Sequence, residues 1–186
     1  MRDVTLEFPC GSPAQWRPAE TMELSREQQC WLLDPQSLTA KLKHRSRQFR
    51  VSLIGQQFAQ LFADEQRSLQ VTDAAVVREV LLCCDNQPWV FARSILPEST
   101  LGEEQLGLAQ LGDNPLGEHL FRQPDLTRSD IEVSRFPTDS AMARLNTQLT
   151  GRHHALFGRR SIFSAAGQQC LVAEIFLSPC PLYQAQ

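Results

Sequence analysis

The clearest periodic signal in the chain lies at residues 76–96. Two runs rich in β-branched and aromatic residues flank Asp85-Asn86, a favourable pair for a two-residue turn, and together they predict a β-hairpin. With that turn and an uninterrupted ladder, Arg78 lies opposite Arg93 and both point to one face. A second pair of strand-like runs, 156–163 and 169–177, flanks a turn at Gly167. Phe49-Arg50-Val51-Ser52-Leu53 alternates apolar with polar, the period of a half-buried strand, and Asp130–Phe136 reads the same way. Helix signals fall between these runs. Ser25 with Gln28 makes a capping box for a short helix through Trp31-Leu32-Leu33, broken by Asp34-Pro35. Ser37 caps a second helix, residues 38–45. Thr100 with Glu103 predicts a third, closed by Gly112, and Asn114-Pro115 starts a fourth carrying Leu116, Leu120 and Phe121. Residues 64–73 are polar and read as a connection; 137–153 are polar with room for one short helix. Hairpins impose antiparallel pairing, so the expected class is α+β: a single antiparallel sheet flanked by helices.

Composition narrows the function classes. A chain of 186 residues is one domain's worth of protein. Eighteen Lys and Arg against 21 Asp and Glu leave a net charge of −3, which argues against a phosphate-backbone binder. Five basic residues between Lys41 and Arg50 form a solvated helix face, with Phe49 the sole aromatic nearby. No run approaches the ~20 apolar residues needed to cross a bilayer, and the N-terminus lacks the apolar core of a signal peptide, so a cytoplasmic protein is expected. With no heptad or interface stripe in the sequence, a monomer is expected. The first 24 residues hold three prolines and read as an arm beside a domain spanning 25–186. Six cysteines contain no CxxC pair, and Cys83-Cys84 sits in an apolar run, so they read as small core residues. Nucleotide-binding, zinc-protease and serine-hydrolase motifs are absent, and the four histidines show no metal-ligand spacing. A cofactor-free reaction or pure small-molecule binding remains.

Three groups of residues could carry such chemistry. Arg78 and Arg93 stand inside apolar strands, where a guanidinium is costly unless an anion faces it. Either each pairs with Glu79 or Glu132 or reaches solvent, or they build a pocket for a carboxylate ligand. Glu174 shares a strand face with Cys170 and Val172, both faces of that strand being apolar, so it has a cationic partner or a raised pKa. Arg159 and Arg160 are adjacent on a strand; one can serve an inward site while the other is solvated.

The segments REVLLCCDNQPWVFARSILP, DNPLGEHLF, LTRSDIEV, LFGRRSIF and CLVAEIFLSPCPLY resemble the chorismate pyruvate-lyase family over roughly residues 25–183. The resemblance implies an antiparallel sheet with the ligand buried under helical flaps. It also implies conversion of chorismate to 4-hydroxybenzoate and pyruvate, the first step of ubiquinone synthesis, without metal or organic cofactor. By position, Arg78 matches the arginine that grips the ring carboxylate, and Glu174 the acid at the oxygen end of the ring. Leu116 and Leu38 match flap positions that touch the ligand, Leu38 replacing a methionine of similar volume. Arg93 matches an arginine of the same region. The resemblance further implies slow release of product from a covered pocket, and so product inhibition.

The chain departs from the family pattern at residues 136–154, an insertion expected to form a surface loop, and in its first 24 residues. The second carboxylate of chorismate is expected to meet Arg93, Arg159 or Arg160. A different reading comes from fold alone: the same architecture is similar to the effector-binding domains of GntR-type regulators, which bind small molecules and catalyse nothing.

Overall fold

The computed structural model describes residues 6–72, 74–97, 114–165 and 167–183. Its strands are β1 (Arg17–Pro18), β2 (Phe49–Ala59), β3 (Ala75–Cys84), β4 (Gln87–Leu96), β5 (Thr127–Arg128), β6 (Glu132–Phe136), β7 (Leu156–Ala165) and β8 (Gln168–Phe176). The helices are α1 (Arg26–Leu32), α2 (Leu38–Arg45), α3 (Ala63–Leu69), α4 (Leu116–Leu120) and α5 (Ala141–Thr150). All eight strands join one sheet in the order β1-β6-β7-β8-β4-β3-β2, with β5 added beside β7. Every pairing is antiparallel, as the hairpins required. The helix expected at 100–111 lies outside the described residues.

The β3–β4 turn forms as its residues dictate. Asp85 and Asn86 both take positive φ, 49° and 63°, the mirror-image turn that matches the right-handed twist of the strands. The ladder does not run on unbroken from there. Leu82 pairs with Val90 and Cys83 with Pro88, leaving Trp89 as an extra residue in β4. That bulge slides every later partner by one, so Arg78 faces Ser94, and Arg93 faces Glu79. Because side chains alternate, the slide puts Arg78 and Arg93 on opposite faces of the sheet, correcting the expectation that they share one.

Each face carries its own core. Val80, Leu82 and Ala92 point to the first, where they pack with Trp31 and Leu32 of α1 and Leu38 and Leu42 of α2. Leu81, Phe91, Ala173 and Ile175 point to the second, under Met142 and Leu145 of α5. Further along that face, Val77, Ile95 and Leu171 pack under Leu61 and Leu69 at α3. Covered on both sides, all ten residues of β3 are buried.

The second face is where sequence patterns misled. Residues 64–73 form no mere connection; α3 occupies 63–69. Its inward face presents Glu65 and Leu69, with Leu61 buried just ahead of the helix, and the buried carboxylate between the two leucines hides the apolar pattern. The segment 136–154 is likewise no surface loop. Ser140 caps α5, its hydroxyl accepting the Ala143 N–H, and Gly151 ends it at φ 73°. Met142, Ala143, Leu145 and Asn146 are buried, and the Asn146 carboxamide ties the helix to Ser178 through two hydrogen bonds. The arm, too, is packed from Leu6 onward. Cys10 and Gly11 donate their backbone N–H groups to the Glu79 carboxylate at 2.6 and 2.8 Å, and Trp16 stacks edge-on against Phe136.

Two arginines expected elsewhere are absorbed here. Arg93 forks onto both oxygens of Glu65 at 2.7 and 3.0 Å and meets Glu79 at 2.8 Å. Burial disfavours its charge, but the two carboxylates outweigh burial and hold the guanidinium above its ordinary pKa. Of Arg159 and Arg160 one was expected in solvent, but both are buried, and Arg160 pairs with Glu132 at 2.7 Å and Asp64 at 2.8 Å. Four of the six cysteines are buried free thiols, and burial pushes Cys170 and Cys180 up to about 12, fitting the reading of small core residues.

Candidate functional site

The first face of the sheet opens into a cavity between the strands and the helices that cover them. Its floor is apolar, made by Val80, Leu82, Ala92 and Val172, and its roof by Leu38 of α2 with Leu116 and Leu120 of α4. Among the described residues, charged side chains enter this lining from two sides: Arg78 from β3, and Arg128, Arg159 and Glu174 from β5, β7 and β8.

Register explains the separation. Arg78, Ser94, Val172 and Ser161 form one cross-strand row over β3, β4, β8 and β7. Three strand spacings of about 4.8 Å put the ends of that row about 14 Å apart. Glu174 and Arg159 face each other in the row alongside.

At the first pole, Arg78 is 2% exposed and donates to Gln56 Oε1 at 2.8 Å and to the Asn114 carbonyl at 3.3 Å. At the second, Arg159 donates through Nε to Glu174 at 2.6 Å, so the partner expected for Glu174 is a strand arginine. The other side of the Arg159 guanidinium caps the end of α1, donating to the carbonyls of Trp31, Leu32 and Asp34. These bonds tie the strand to the α1–α2 connection. Arg128 completes this pole. Its Nε donates to Ser161 Oγ at 3.0 Å, its Nη1 to the Pro35 carbonyl at 3.2 Å, and its guanidinium lies over the Phe163 ring. Burial, and after it the neighbouring Arg159 charge, bring the Arg128 pKa down to about 10.

The roof is two helices in contact. Gly117 of α4 lies against Thr39 of α2, so close that a Cβ on it would stand 3.0 Å from Thr39 Oγ1. Lys43 and Glu118 form an ion pair across the same seam.

Of the residues singled out in the sequence, Arg78, Leu38, Leu116 and Glu174 line this one cavity. Arg93 does not; the Trp89 bulge turns it to the opposite face, into the Glu65–Glu79 pair. Arg128 was missed because its strand is two residues long, and no alternation can assign it a face. The cavity can therefore hold a small ring with anionic groups at both ends. Its described lining carries three guanidinium groups and one carboxylate.

The profile of the chorismate lyase family matches residues 11–186. The chain is 46% identical to the probable chorismate pyruvate-lyase of Idiomarina loihiensis, covering 98% of this chain and 94% of that protein. It is 43% identical to the probable chorismate pyruvate-lyase of Pseudoalteromonas translucida, covering 96% and 99%. Among solved structures, the effector domain of PhnF from Mycobacterium smegmatis shares the fold at a TM-score of 0.56 and 13% identity, covering 77% of this chain and 90% of that one. That likeness extends to architecture alone. With the family profile running along nearly the whole chain and relatives aligned over almost their full length, the chain belongs to the chorismate lyase family.

Proposed function

We propose that the protein splits chorismate into 4-hydroxybenzoate and pyruvate and so supplies the ring precursor of ubiquinone. The observation that carries this reading, beside family membership, is the charge inventory of the cavity. Among the described lining residues three arginines stand with one glutamate, a cationic lining that suits a substrate with two carboxylates on one ring. The reaction needs little from the protein. The ether bond between ring and side chain breaks, the ring carbon bearing the hydroxyl loses its proton, and the side chain leaves as pyruvate. Aromatisation drives the step, so holding the dianion in a reactive pose and excluding water are the contributions asked of the site.

In this reading Arg78 anchors the ring carboxylate at one pole, and Leu38 and Leu116 press on the ring from the roof. Glu174 addresses the oxygen substituents at the other. Its ion pair with Arg159 favours a role as hydrogen-bond acceptor for the ring hydroxyl. Glu174→Gln keeps the shape and removes the charge; turnover is expected to fall by about 10- to 100-fold with little change in 4-hydroxybenzoate affinity. Full turnover in that variant would remove Glu174 from the chemistry.

The function itself is tested by mixing EDTA-treated protein with chorismate and following both products. Equal amounts of 4-hydroxybenzoate and pyruvate are expected. Absence of both, with 4-hydroxybenzoate still raising the melting temperature, would make the protein a binding module.

The covered cavity also leads us to expect slow product release, because water-excluding sites gate exit. Gly117→Val would wedge α4 away from Thr39, and overpacking a closed contact costs roughly 1–3 kcal/mol. Dissociation of 4-hydroxybenzoate, read by stopped-flow, is expected to quicken about tenfold. An unchanged rate would mean that the α2–α4 seam is not the gate.

A further inference from the structure

Chorismate carries a second carboxylate, on the side chain that leaves, and sequence reasoning offered Arg93, Arg159 and Arg160 as its partner. The fold disqualifies two of them: Arg93 and Arg160 lie on the other face, each held by two carboxylates. Arg159 lines the cavity, but its charge is already matched by Glu174, and its Nη1 is committed to carbonyls at the end of α1.

We propose that Arg128 is the binding residue for this second carboxylate. The inference rests on the chorismate reaction above and is carried by the geometry of the second pole. Among the described residues Arg128 forms no ion pair within 4.0 Å, whereas Arg93, Arg159 and Arg160 all do. It is nevertheless fixed in place. Ser161 accepts from Nε, the Pro35 carbonyl accepts from Nη1, and the Phe163 ring lies beneath the guanidinium at 5.0 Å. Those contacts leave Nη2 with no acceptor among the described residues. A planar cation held on three sides in the cavity lining, with its Nη2 uncommitted among the described residues, is preorganised for a carboxylate.

Position supports the assignment. Ser161, which holds Arg128, ends the cross-strand row that Arg78 begins, so the two guanidinium groups address the cavity from opposite sides. Charge supports it as well. Were the second carboxylate held away from Arg128, it would face Glu174 with only the already paired Arg159 to offset the repulsion. The depressed pKa of Arg128 is the mark of a partly buried cation beside another cation, a cost that an arriving anion relieves.

The assignment separates substrate from product, because 4-hydroxybenzoate keeps the ring carboxylate and lacks the second one. Arg128→Gln is expected to reduce kcat/KM for chorismate by about 10²-fold, chiefly through KM, while the Kd of 4-hydroxybenzoate stays within about threefold. Arg128→Lys, which keeps the charge and loses the fork, is expected to recover part of the loss. A parallel loss of substrate and product affinity would overturn the proposal, since a residue that merely braces the Pro35 loop moves both. So would an unchanged KM for chorismate. If Arg128→Gln fails to fold, the same comparison in Arg128→Lys decides, with a loss of about tenfold in kcat/KM expected and no loss overturning the proposal. Failure of the wild-type protein to convert chorismate would remove the reaction itself, an outcome distinct from any difference among the Arg128 variants.

Discussion

Replacing Arg78 with glutamine is expected to lower kcat/KM for chorismate by about 10²- to 10³-fold and to weaken 4-hydroxybenzoate binding by a similar factor. Arg78 is 2% exposed, so a carboxylate meeting it is drawn out of water and has no solvent to fall back on. Truncating one partner of such a desolvated pair costs roughly 2–5 kcal/mol. The anchor acts on a group shared by substrate and product, so both affinities should drop together. That joint loss distinguishes Arg78 from Arg128, whose removal is expected to spare the product. Steady-state kinetics with calorimetric titration of 4-hydroxybenzoate measure the pair. Retention of product affinity within threefold would show that Arg78 does not hold the ring carboxylate. Glutamine preserves a hydrogen-bonding side chain beside Gln56 and Asn114, and the melting temperature of the free variant serves as the folding control.

How far the sequence led depends on which rule governs each residue. Local rules were sufficient where a few neighbouring side chains fix the backbone. Ser25 with Gln28 and Ser37 place the starts of α1 and α2 correctly, and Asp85-Asn86 places the β3–β4 turn. Alternation along β8 put Glu174 with Val172, and both line the cavity. Alternation failed at Arg93 because one extra residue, Trp89, inverts the face of everything after it, and a bulge leaves no local trace in a run this apolar. Helical periodicity failed at α3 because its inward residue is a carboxylate that finds a cation 28 positions away. No window of sequence contains that pair. Arg128 was illegible for a third reason. It sits on a two-residue strand, and its contacts come from Pro35, Ser161 and Phe163, far apart in the chain.

The same residue types serve opposite ends on the two faces of the sheet. On the cavity face, the described lining brings three arginines together with one glutamate, which suits a site that receives an anion. On the other face, Arg93 and Arg160 meet Glu65, Glu79, Asp64 and Glu132, so cations are fully offset. A buried arginine in this chain is therefore a ligand-binding candidate only where carboxylates are scarce.

The matched network predicts a large effect on stability with little on catalysis. Glu79 is completely buried and accepts three hydrogen bonds, from Arg93 and from the backbone N–H groups of Cys10 and Gly11. Its charge is felt there: burial first, and then Glu79, push the Cys10 thiol up to about 11. Glu79→Ala removes all three acceptor contacts at once, leaving part of a buried guanidinium uncompensated and releasing the arm. Breaking one side of such a network costs roughly 3–5 kcal/mol. In a domain of this size each kcal/mol lowers the melting temperature by about 2–4 °C, so a fall of about 6–20 °C is expected in calorimetry. Well below that transition, kcat/KM for chorismate should remain within a few-fold, because Glu79 faces away from the cavity. Replacing Glu65, Glu79 and Arg93 together with apolar residues of similar volume is expected to recover much of the loss, since the cost lies in the orphaned charge rather than in the missing pair. A fall of less than about 2 °C in Glu79→Ala would mean that the arm and Arg93 do not depend on this carboxylate. In that case the fork of Arg93 onto Glu65 of α3 would be enough to hold the guanidinium.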